Sequence, residues 1–443
     1  MGCKVNQYET QVLESLFLKH GFEVVDCSCF SDVYVLNSCT VTASCDSKIR
    51  QLAFRFKRIN SDAVLVLVGC FAQAFCCGSS ANSSNDDRKY DHDRKETEVL
   101  SIFDVVVGNS NKLETPVLVS NFLKNRKKIV EVRGHLKLAK FPDIAISKFK
   151  HRFRAFIKIE DGCDRSCAYC IIPKARGFIK SKSLESLKFE VEQLTLNGYT
   201  EFVLVGINLS SYGFDFEKKI GLCDAVELIS RIDGVKRIRL GSLEPDLLTE
   251  ADVARLSKIK QFCPNFHLAL QSGCDDVLKR MRRRYDTKQY VELVNLIFKF
   301  FKNPSITTDL MIGFPQETEF EFVQSLEFVS KIGFLKVHIF PYSKRANTVA
   351  ALMDGQVAET EKKRRFSRME KVVKFETEKF LSGQKGKILE VLFEKREAEN
   401  LYVGHSKNFC LVKVKSSVDL CGRVECVKIE QSFETFCFGR VLK

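Results

Sequence analysis

The sequence predicts a multidomain α/β fold: an N-terminal doubly wound α/β domain, a central (β/α) TIM-like barrel, and a small OB-like β-barrel at the C-terminus. Three observations carry this. Residues 1 to about 125 alternate helix-like and strand-like patterns, strands recur six times between Phe153 and Tyr342 with helical stretches between them, and beyond residue 383 the apolar residues switch to period two. A length of 443 residues is ample for three cores of about 150 residues each.

In the first part, Tyr8 to His20 places Val12, Leu13, Leu16 and Phe17 at helical spacing and stops at Gly21. Val33 to Leu36 reads as a strand, Ala43 to Ile59 as a helix, Ala63 to Val68 as a buried strand running into a loop, and Phe103 to Val107 as another strand. Cys39 and Cys70 each follow a strand, and Cys3 precedes the first helix. Carboxyl ends of strands in an open α/β sheet face one crevice, so the three thiols are candidates to converge, the alternative being packing at strand ends. The Ser-, Asn-, Asp- and Lys-rich stretch of about 78–94 reads as a solvated, disordered insertion, with Cys76 and Cys77 as bystanders. Domain bounds follow at 1–123, a basic linker at 124–152, 153–378 and 380–443. The linker reads as a solvated face, with phosphate contact as the alternative.

The central part opens with a strand, Phe153 to Ile159, followed by Cys163-Asp-Arg-Ser-Cys167-Ala-Tyr-Cys170. Three thiolates on a loop can take three corners of a [4Fe-4S] cube, and the fourth iron is then open to a small molecule's amine and carboxylate. S-adenosylmethionine is the candidate, with Tyr169 placed to lie against its adenine. A zinc site would need a fourth ligand, and the nearest histidine, His151, falls before the strand; buried thiols are the other alternative.

The run Lys158 to Cys163 and onward through Cys170-Ile-Ile-Pro-Lys-Ala-Arg176-Gly177 closely resembles the radical S-adenosylmethionine methylthiotransferases. The opening Gly2-Cys3-Lys4-Val5-Asn6-Gln7-Tyr8-Glu9-Thr10 resembles the branch that modifies N6-threonylcarbamoyladenosine in tRNA, and the likeness covers nearly the whole chain. It implies an auxiliary [4Fe-4S] cluster on Cys3, Cys39 and Cys70, whose surroundings Asn37-Ser38-Cys39-Thr40-Val41-Thr42 and Gly69-Cys70-Phe71-Ala72-Gln73 match the family motifs. The family has an apolar strand before its Gly-Cys-Lys, where Met1 stands here. This leads us to expect a sheet one strand short and Cys3 without its rigid mount, through a misassigned start or a crippled, even degenerate, domain.

The remaining barrel strands are expected at Glu201 to Val205, Arg237 to Leu240, Phe266 to Leu270, Ile306 to Met311 and Lys336 to Phe340, with helices such as Leu184 to Asn197 and Tyr290 to Phe300. Polar residues follow every strand: Gly206 and Asn208, Ser242 and Glu244, Gln271 and Ser272, Gly313 and Glu317, and Tyr342, Ser343 and Arg345. The resemblance makes Tyr169, Gly206, Asn208, Ser242, Glu244, Gln271 and Gly313 candidates for binding S-adenosylmethionine. Gln316 and Asn347 stand where the family has glycine. Asp309 is either functional or a satisfied barrel carboxylate, and His267 and His338 read as hydrogen-bonded core residues.

Residues 359 to 380 read as a helix with Phe366, Met369, Val373 and Phe380 inward and Lys362 to Arg365 outside. Four short strands follow, at Ile388 to Phe393, Leu401 to Val403, Cys410 to Val414 and Arg423 to Ile429, and resemble the family's RNA-binding TRAM domain. Lys385, Lys387, Lys407, Lys413, Lys415 and Lys428 are candidates for phosphates, and Tyr402 or Phe409 for base stacking. Cys410, Cys421, Cys426 and Cys437 lack a tight pair and read as core thiols rather than zinc ligands.

The formal charge of +14 favours an anionic partner, nucleic acid first. Eighteen cysteines in a long chain without a signal peptide fit a reducing cytoplasm, and no apolar run reaches the roughly 18 residues of a membrane span. The family resemblance implies two [4Fe-4S] clusters, two molecules of S-adenosylmethionine, tRNA as partner rather than DNA, and an electron donor such as flavodoxin or ferredoxin. Sulfur would be inserted at C2 of the modified adenosine beside the anticodon, where the C–H is not acidic enough for acid–base catalysis. The alternatives are a sister enzyme acting on isopentenyl-adenosine or a ribosomal-protein aspartate, and a non-catalytic iron-sulfur or zinc RNA-binding protein.

Overall fold

The computed structural model describes residues 2–40, 43–76, 99–137, 139–142, 144–146 and 153–442, the side chains of 43, 44 and 46 excepted. The proposed insertion at 78–94 lies outside them, as do Cys77 and His151. Two compact units are formed: Met1–Ile146 with Glu160–Lys182 and Ser343–Leu352, and Ser147–Ile159 with Ser183–Tyr342 and Met353–Lys443. Among the described residues no helix is long and apolar enough to cross a membrane.

In the first unit, β1 (Val33–Ser38), β2 (Val64–Gly69), β3 (Val105–Val107) and β4 (Ile129–Glu131) form a parallel sheet in that order. Alternate residues of β2 face opposite ways. Leu65 and Leu67 pack with Ile49, Ala53 and Phe56 of the helix Ala43–Ile59. Val64, Val66 and Val68 pack with Leu13 and Phe17 of the helix Lys4–Lys19 and with Val119 and Phe122 of the helix Thr115–Asn125. Both faces are thus covered, which is why β2 reads as an unbroken apolar run. β4 lies in the stretch read as a basic linker, and the stretch after β2 is a helix, Cys70–Cys76, rather than a loop.

The chain continues through β5 (Arg154–Lys158) of the second unit and returns to the first for β6 (Glu160–Asp161) and β7 (Lys180–Ser181), an antiparallel pair at the base of the cysteine loop. In the second unit, β5, β8 (Glu201–Val205) and β9 (Arg237–Leu240) are parallel neighbours. So are β10 (Ser242–Leu243), β11 (Asn265–Leu268), β12 (Ser305–Ile312) and β13 (Lys336–Pro341). Only Gly241 separates β9 from β10, and Ile238 bridges to Phe262 just before β11, so six parallel strand positions follow one another. Among the described residues β13 does not return to pair with β5, which makes this a partial (β/α) barrel. Its helices begin on side-chain caps such as Thr249 with Asp252, Asp286 with Gln289 and Thr318 with Glu321.

Strands β14 (Ile388–Ala398), β15 (Leu401–Ser406), β16 (Leu411–Lys415), β17 (Val424–Ser432) and β18 (Cys437–Val441) close into a small barrel in the order β14-β15-β16-β18-β17. The fifth strand, absent from the sequence reading, completes the closure. Cys410 and Cys437 are core thiols, burial pushing them up to about 12 and about 11, but Cys426 is exposed and Cys421 half-buried. Tyr402 is also in this core, and Phe409 stacks on His405 at 4.5 Å with the Arg239 guanidinium 5.1 Å from its ring, so neither of the expected stacking residues is presented to a base.

The small barrel meets the amino ends of the parallel strands through a buried charge network. Glu201, the first residue of β8, takes Arg154 and, at 2.8 Å each, Arg237 and Arg239. Arg239 also donates to the carbonyls of Ser406 (2.6 Å) and Lys407 (2.8 Å), Arg237 to that of His405 (3.1 Å), and Arg154 to Glu394 (2.6 Å). Burial opposes the charge of Glu201, yet the three arginines hold its carboxyl at about 2, below the ordinary 4.5. Its folded value is depressed, so the stabilisation is complete at neutral pH and is lost as pH falls from about 4.5 through about 2. Glu201→Gln leaves Arg237 and Arg239 without their carboxylate while Arg154 keeps Glu394, and is expected to cost about 3–5 kcal/mol at pH 7, read by denaturant unfolding, with a shallower loss of stability on acidification than the parent shows.

Candidate functional site

The first unit carries both cysteine sets. Ser38 and Gly69 are register partners at the carboxyl ends of β1 and β2, so Cys39 and Cys70, the next residues, leave the sheet side by side. Gly69 makes the turn at φ +108, where a Cβ would sit 2.8 Å from the Ser38 carbonyl oxygen. Cys3 is the residue before the helix Lys4–Lys19, and Gly2, at φ +119, lies so close to Cys39 that a Cβ there would meet the cysteine's own Cβ at 2.8 Å. The mount for Cys3 is therefore this helix start. It is fixed by reciprocal bonds of Asn6 Nδ2 to the Asn37 carbonyl and Asn37 Nδ2 to the Asn6 carbonyl, both 3.1 Å. Ser38 Oγ bridges the Val68 carbonyl (2.8 Å) and the Phe71 N–H (3.2 Å), and Gln73 is buried between Ser110 and the Arg133 carbonyl. The polar residues flanking these cysteines thus hold the loops that present them.

The second set lies on the loop closed by β6 and β7 and by the Cys163 N–H on the Gly177 carbonyl at 3.0 Å. A tight turn, Cys170 N–H to Cys167 carbonyl at 3.1 Å, precedes the short helix Ile172–Arg176, and the Ile172 N–H points at Cys170 Sγ at 3.4 Å. Cys163, Cys167 and Cys170 are half-exposed, as is Tyr169, while Cys39 and Cys70 are buried and Cys3 is exposed. Cys70 packs against Ile171 and Ala175 of the second loop, and Asn109 Nδ2 spans both sets, 3.4 Å from Cys70 Sγ and 2.6 Å from the Ala175 carbonyl. The six cysteines are therefore carried by one packed body. Among the described residues no group of three or more His, Cys, Asp and Glu side chains is gathered about a single metal ion.

Sequence reasoning missed the buried ion network beneath these loops. Arg176 is fully buried and pairs with Glu9 (Nη1–Oε1 2.9 Å, Nη2–Oε2 3.0 Å) and Asp161 (2.9 Å), and Lys112 closes on Glu9 at 2.5 Å. Glu9 and Arg176 both lie in the quoted motifs; the missed signal was a charged residue on the apolar side of a helix next to Val12 and Leu13.

In the second unit the remaining candidates fall at successive carboxyl ends of the parallel strands. Gly206 and Asn208 follow β8; Ser242 is in β10 and Glu244 after it; Gln271 follows β11 and Gly313 follows β12. The loops are tied to one another, Glu244 N–H to Ser210 Oγ at 2.9 Å and Gln271 N–H to the Asp309 carbonyl at 2.9 Å. The Glu244 carboxylate is held by Arg283. Gln271 adopts φ +65, and its buried side-chain oxygen has no hydrogen-bond partner among the described residues, which suits an acceptor facing a ligand. Asp309 sits 3.2 Å from His267, whose other nitrogen meets Thr307 at 3.0 Å, so both satisfy one another.

The helix Glu359–Ser382 departs from expectation. Lys362 and Arg365 are buried rather than outside: Lys362 lies in the space a Cβ at Gly313 would take and donates to the Tyr342 carbonyl at 2.9 Å, and Arg365 pairs with Glu317 at 2.7 Å. Glu317 also accepts the Gly313 N–H at 2.8 Å, so these two cations fix the turn after β12.

A family model described as the Radical SAM superfamily matches residues 157–329, and one described as Uncharacterized protein family UPF0004 matches residues 1–83. The chain is 34% identical over 435 residues to the threonylcarbamoyladenosine tRNA methylthiotransferase MtaB of Bacillus subtilis, covering 97% of this chain and 92% of that protein. This chain belongs to the radical SAM methylthiotransferase family. Within that family it is 30% identical over 437 residues to the tRNA-2-methylthio-N(6)-dimethylallyladenosine synthase of Clostridium botulinum, covering 97% of this chain and 92% of that one. Its fold is shared with the radical S-adenosylmethionine methyltransferase TsrM of Kitasatospora setae, solved with cobalamin and a [4Fe-4S] cluster, at a TM-score of 0.56 and 14% identity over 78% of this chain and 74% of that chain.

Both positions where a family glycine is replaced adopt left-handed backbone, Gln316 at φ +65 and Asn347 at φ +66. An L side chain is strained there, asparagine less so. Gln316→Gly is expected to raise stability by about 1 kcal/mol, and Asn347→Gly by less, both checked by thermal unfolding.

Proposed function

We propose that this methylthiotransferase inserts a methylthio group at C2 of N6-threonylcarbamoyladenosine beside the anticodon of tRNA, using two [4Fe-4S] clusters and two molecules of S-adenosylmethionine. The observation that carries it is the presence of both cysteine sets on one packed body, joined by Cys70 against Ile171 and Ala175. The choice of base rests on the 34% identity to the threonylcarbamoyladenosine enzyme of Bacillus subtilis, above the 30% to the dimethylallyladenosine enzyme of Clostridium botulinum.

The residues present fit such groups. Thiols with N–H donors aimed at their sulfurs, as at Cys170 and Cys70, are the donor set that iron-sulfur clusters take. When bound, a [4Fe-4S] cluster on Cys163, Cys167 and Cys170 would supply reductive cleavage of S-adenosylmethionine, chemistry able to open an unactivated aromatic C–H. Cys3, Cys39 and Cys70 would hold the second cluster, as carrier of the sulfur.

The chain's own part is binding and orientation. Tyr169 offers an aromatic face beside the cysteine loop, and the strand-end groups, Gly206, Asn208, Ser242, Glu244, the free oxygen of Gln271 and the backbone at Gly313, offer polar contacts for S-adenosylmethionine. On the small barrel, Lys385, Lys415 and Lys428 are exposed and open to tRNA phosphates, whereas Lys413 is spent on Glu397 and Lys407 on Glu390. An electron donor such as flavodoxin or ferredoxin and a cytoplasmic setting complete the proposal.

In a strain lacking its own tRNA methylthiotransferases, the chain is expected to restore 2-methylthio-N6-threonylcarbamoyladenosine, read by mass spectrometry of tRNA nucleosides. Cys163→Ala, Cys167→Ala and Cys170→Ala are each expected to abolish that product and the release of 5'-deoxyadenosine from S-adenosylmethionine. The methylthio derivative of isopentenyl-adenosine alone would assign the sister substrate, and no methylthio nucleoside with bound zinc would overturn the proposal.

A further inference from the structure

Arg176 is fully buried, and two of its three nitrogens are used: Nη1 by Glu9 and Asp161 and Nη2 by Glu9. The third, Nε, is buried and has no hydrogen-bond partner among the described residues. A buried guanidinium N–H without an acceptor is costly, so such a group in a folded protein points to an acceptor that arrives with a ligand. Its ion pairs with Glu9 and Asp161 are made through Nη1 and Nη2, and Lys112 also pairs with Glu9. The spare donor is therefore available without breaking an ion pair.

What lies nearby is Cys70. It packs on Ala175, the residue preceding Arg176, and its Sγ already accepts from Asn109 Nδ2 at 3.4 Å. The Asn109 amide is itself pinned by the Ala175 carbonyl at 2.6 Å, so this donor to Cys70 is anchored on the residue next to Arg176.

We propose that Arg176 is a positioning residue for the auxiliary cluster: its Nε–H, together with the Asn109 amide, hydrogen-bonds the sulfurs at the Cys70 corner and sets that cluster's reduction potential. This rests on the two-cluster reading above and adds the specific contact. Donors and positive charge at cluster sulfurs stabilise the reduced, more negative state and raise the potential. Because both groups are fixed to the loop that bears Cys163, Cys167 and Cys170, the electronics of one centre depend on residues that build the other.

The test uses the full chain carrying Cys163→Ala, Cys167→Ala and Cys170→Ala, reconstituted anaerobically with iron and sulfide, so that only the auxiliary centre reports in an EPR-monitored redox titration. Arg176→Lys keeps the charge but has no Nε–H, and Asn109→Leu removes the second donor while leaving the ion network intact. Both are expected to retain about the parent's iron content and to shift the midpoint to lower potential, more when combined. Unchanged midpoints in variants that hold iron would overturn the assignment. Should Arg176→Lys fail to hold a cluster, Asn109→Leu decides by the same titration. A parent background that binds no iron would instead overturn the two-cluster reading, and this contact with it.

Discussion

The buried contact of Arg176 with Glu9 and Asp161 is the constraint on which the first unit depends. It joins the helix that starts at Cys3, the strand β6 at the base of the second cysteine loop, and the helix that ends that loop, with Lys112 closing the circuit from a fourth segment. An ion pair at such depth is rarely favoured over apolar packing on energy alone; its strength lies in allowing one arrangement and few others. Here the arrangement it selects is the one in which thiols distant in sequence, Cys3 and Cys70 on one side and the 163–170 loop on the other, share a single packed body.

The second unit uses charge for a different end. Glu201 gathers three arginines at the amino ends of β5, β8 and β9, and these turn their remaining donors on the small barrel. The carboxyl ends of the parallel strands carry polar loops and, after β11, a buried side-chain oxygen on Gln271. The buried charge network and the candidate ligand-binding groups thus lie at opposite ends of the parallel strands, as (β/α) folds generally arrange stability and function.

Much of this was legible in the sequence because it depends on local pattern. The six strand positions, the helix Ala43–Ile59 and the placement of Cys39 and Cys70 after strands follow from periodicity and length. What could not be read depends on partners remote in sequence. Lys362 and Arg365 look solvent-facing until Gly313 and Glu317 are brought beside them, and Glu9 looks like a surface charge until Arg176 arrives. The fifth barrel strand was hidden for a related reason: Cys437–Val441 is short and contains Gly439, and it gains its strand character from pairing with β16 and β17. Tyr402 and Phe409, which the resemblance to an RNA-binding domain offered to bases, pack instead in the barrel's own core and against His405.

The grip of Arg237 and Arg239 on residues 405–407 is directed at main-chain carbonyls. Every amino acid supplies that same oxygen. This part of the seat of the small barrel is therefore indifferent to which side chains stand at 405–407, whereas any insertion that displaced the hairpin's backbone by a single residue would unmake it.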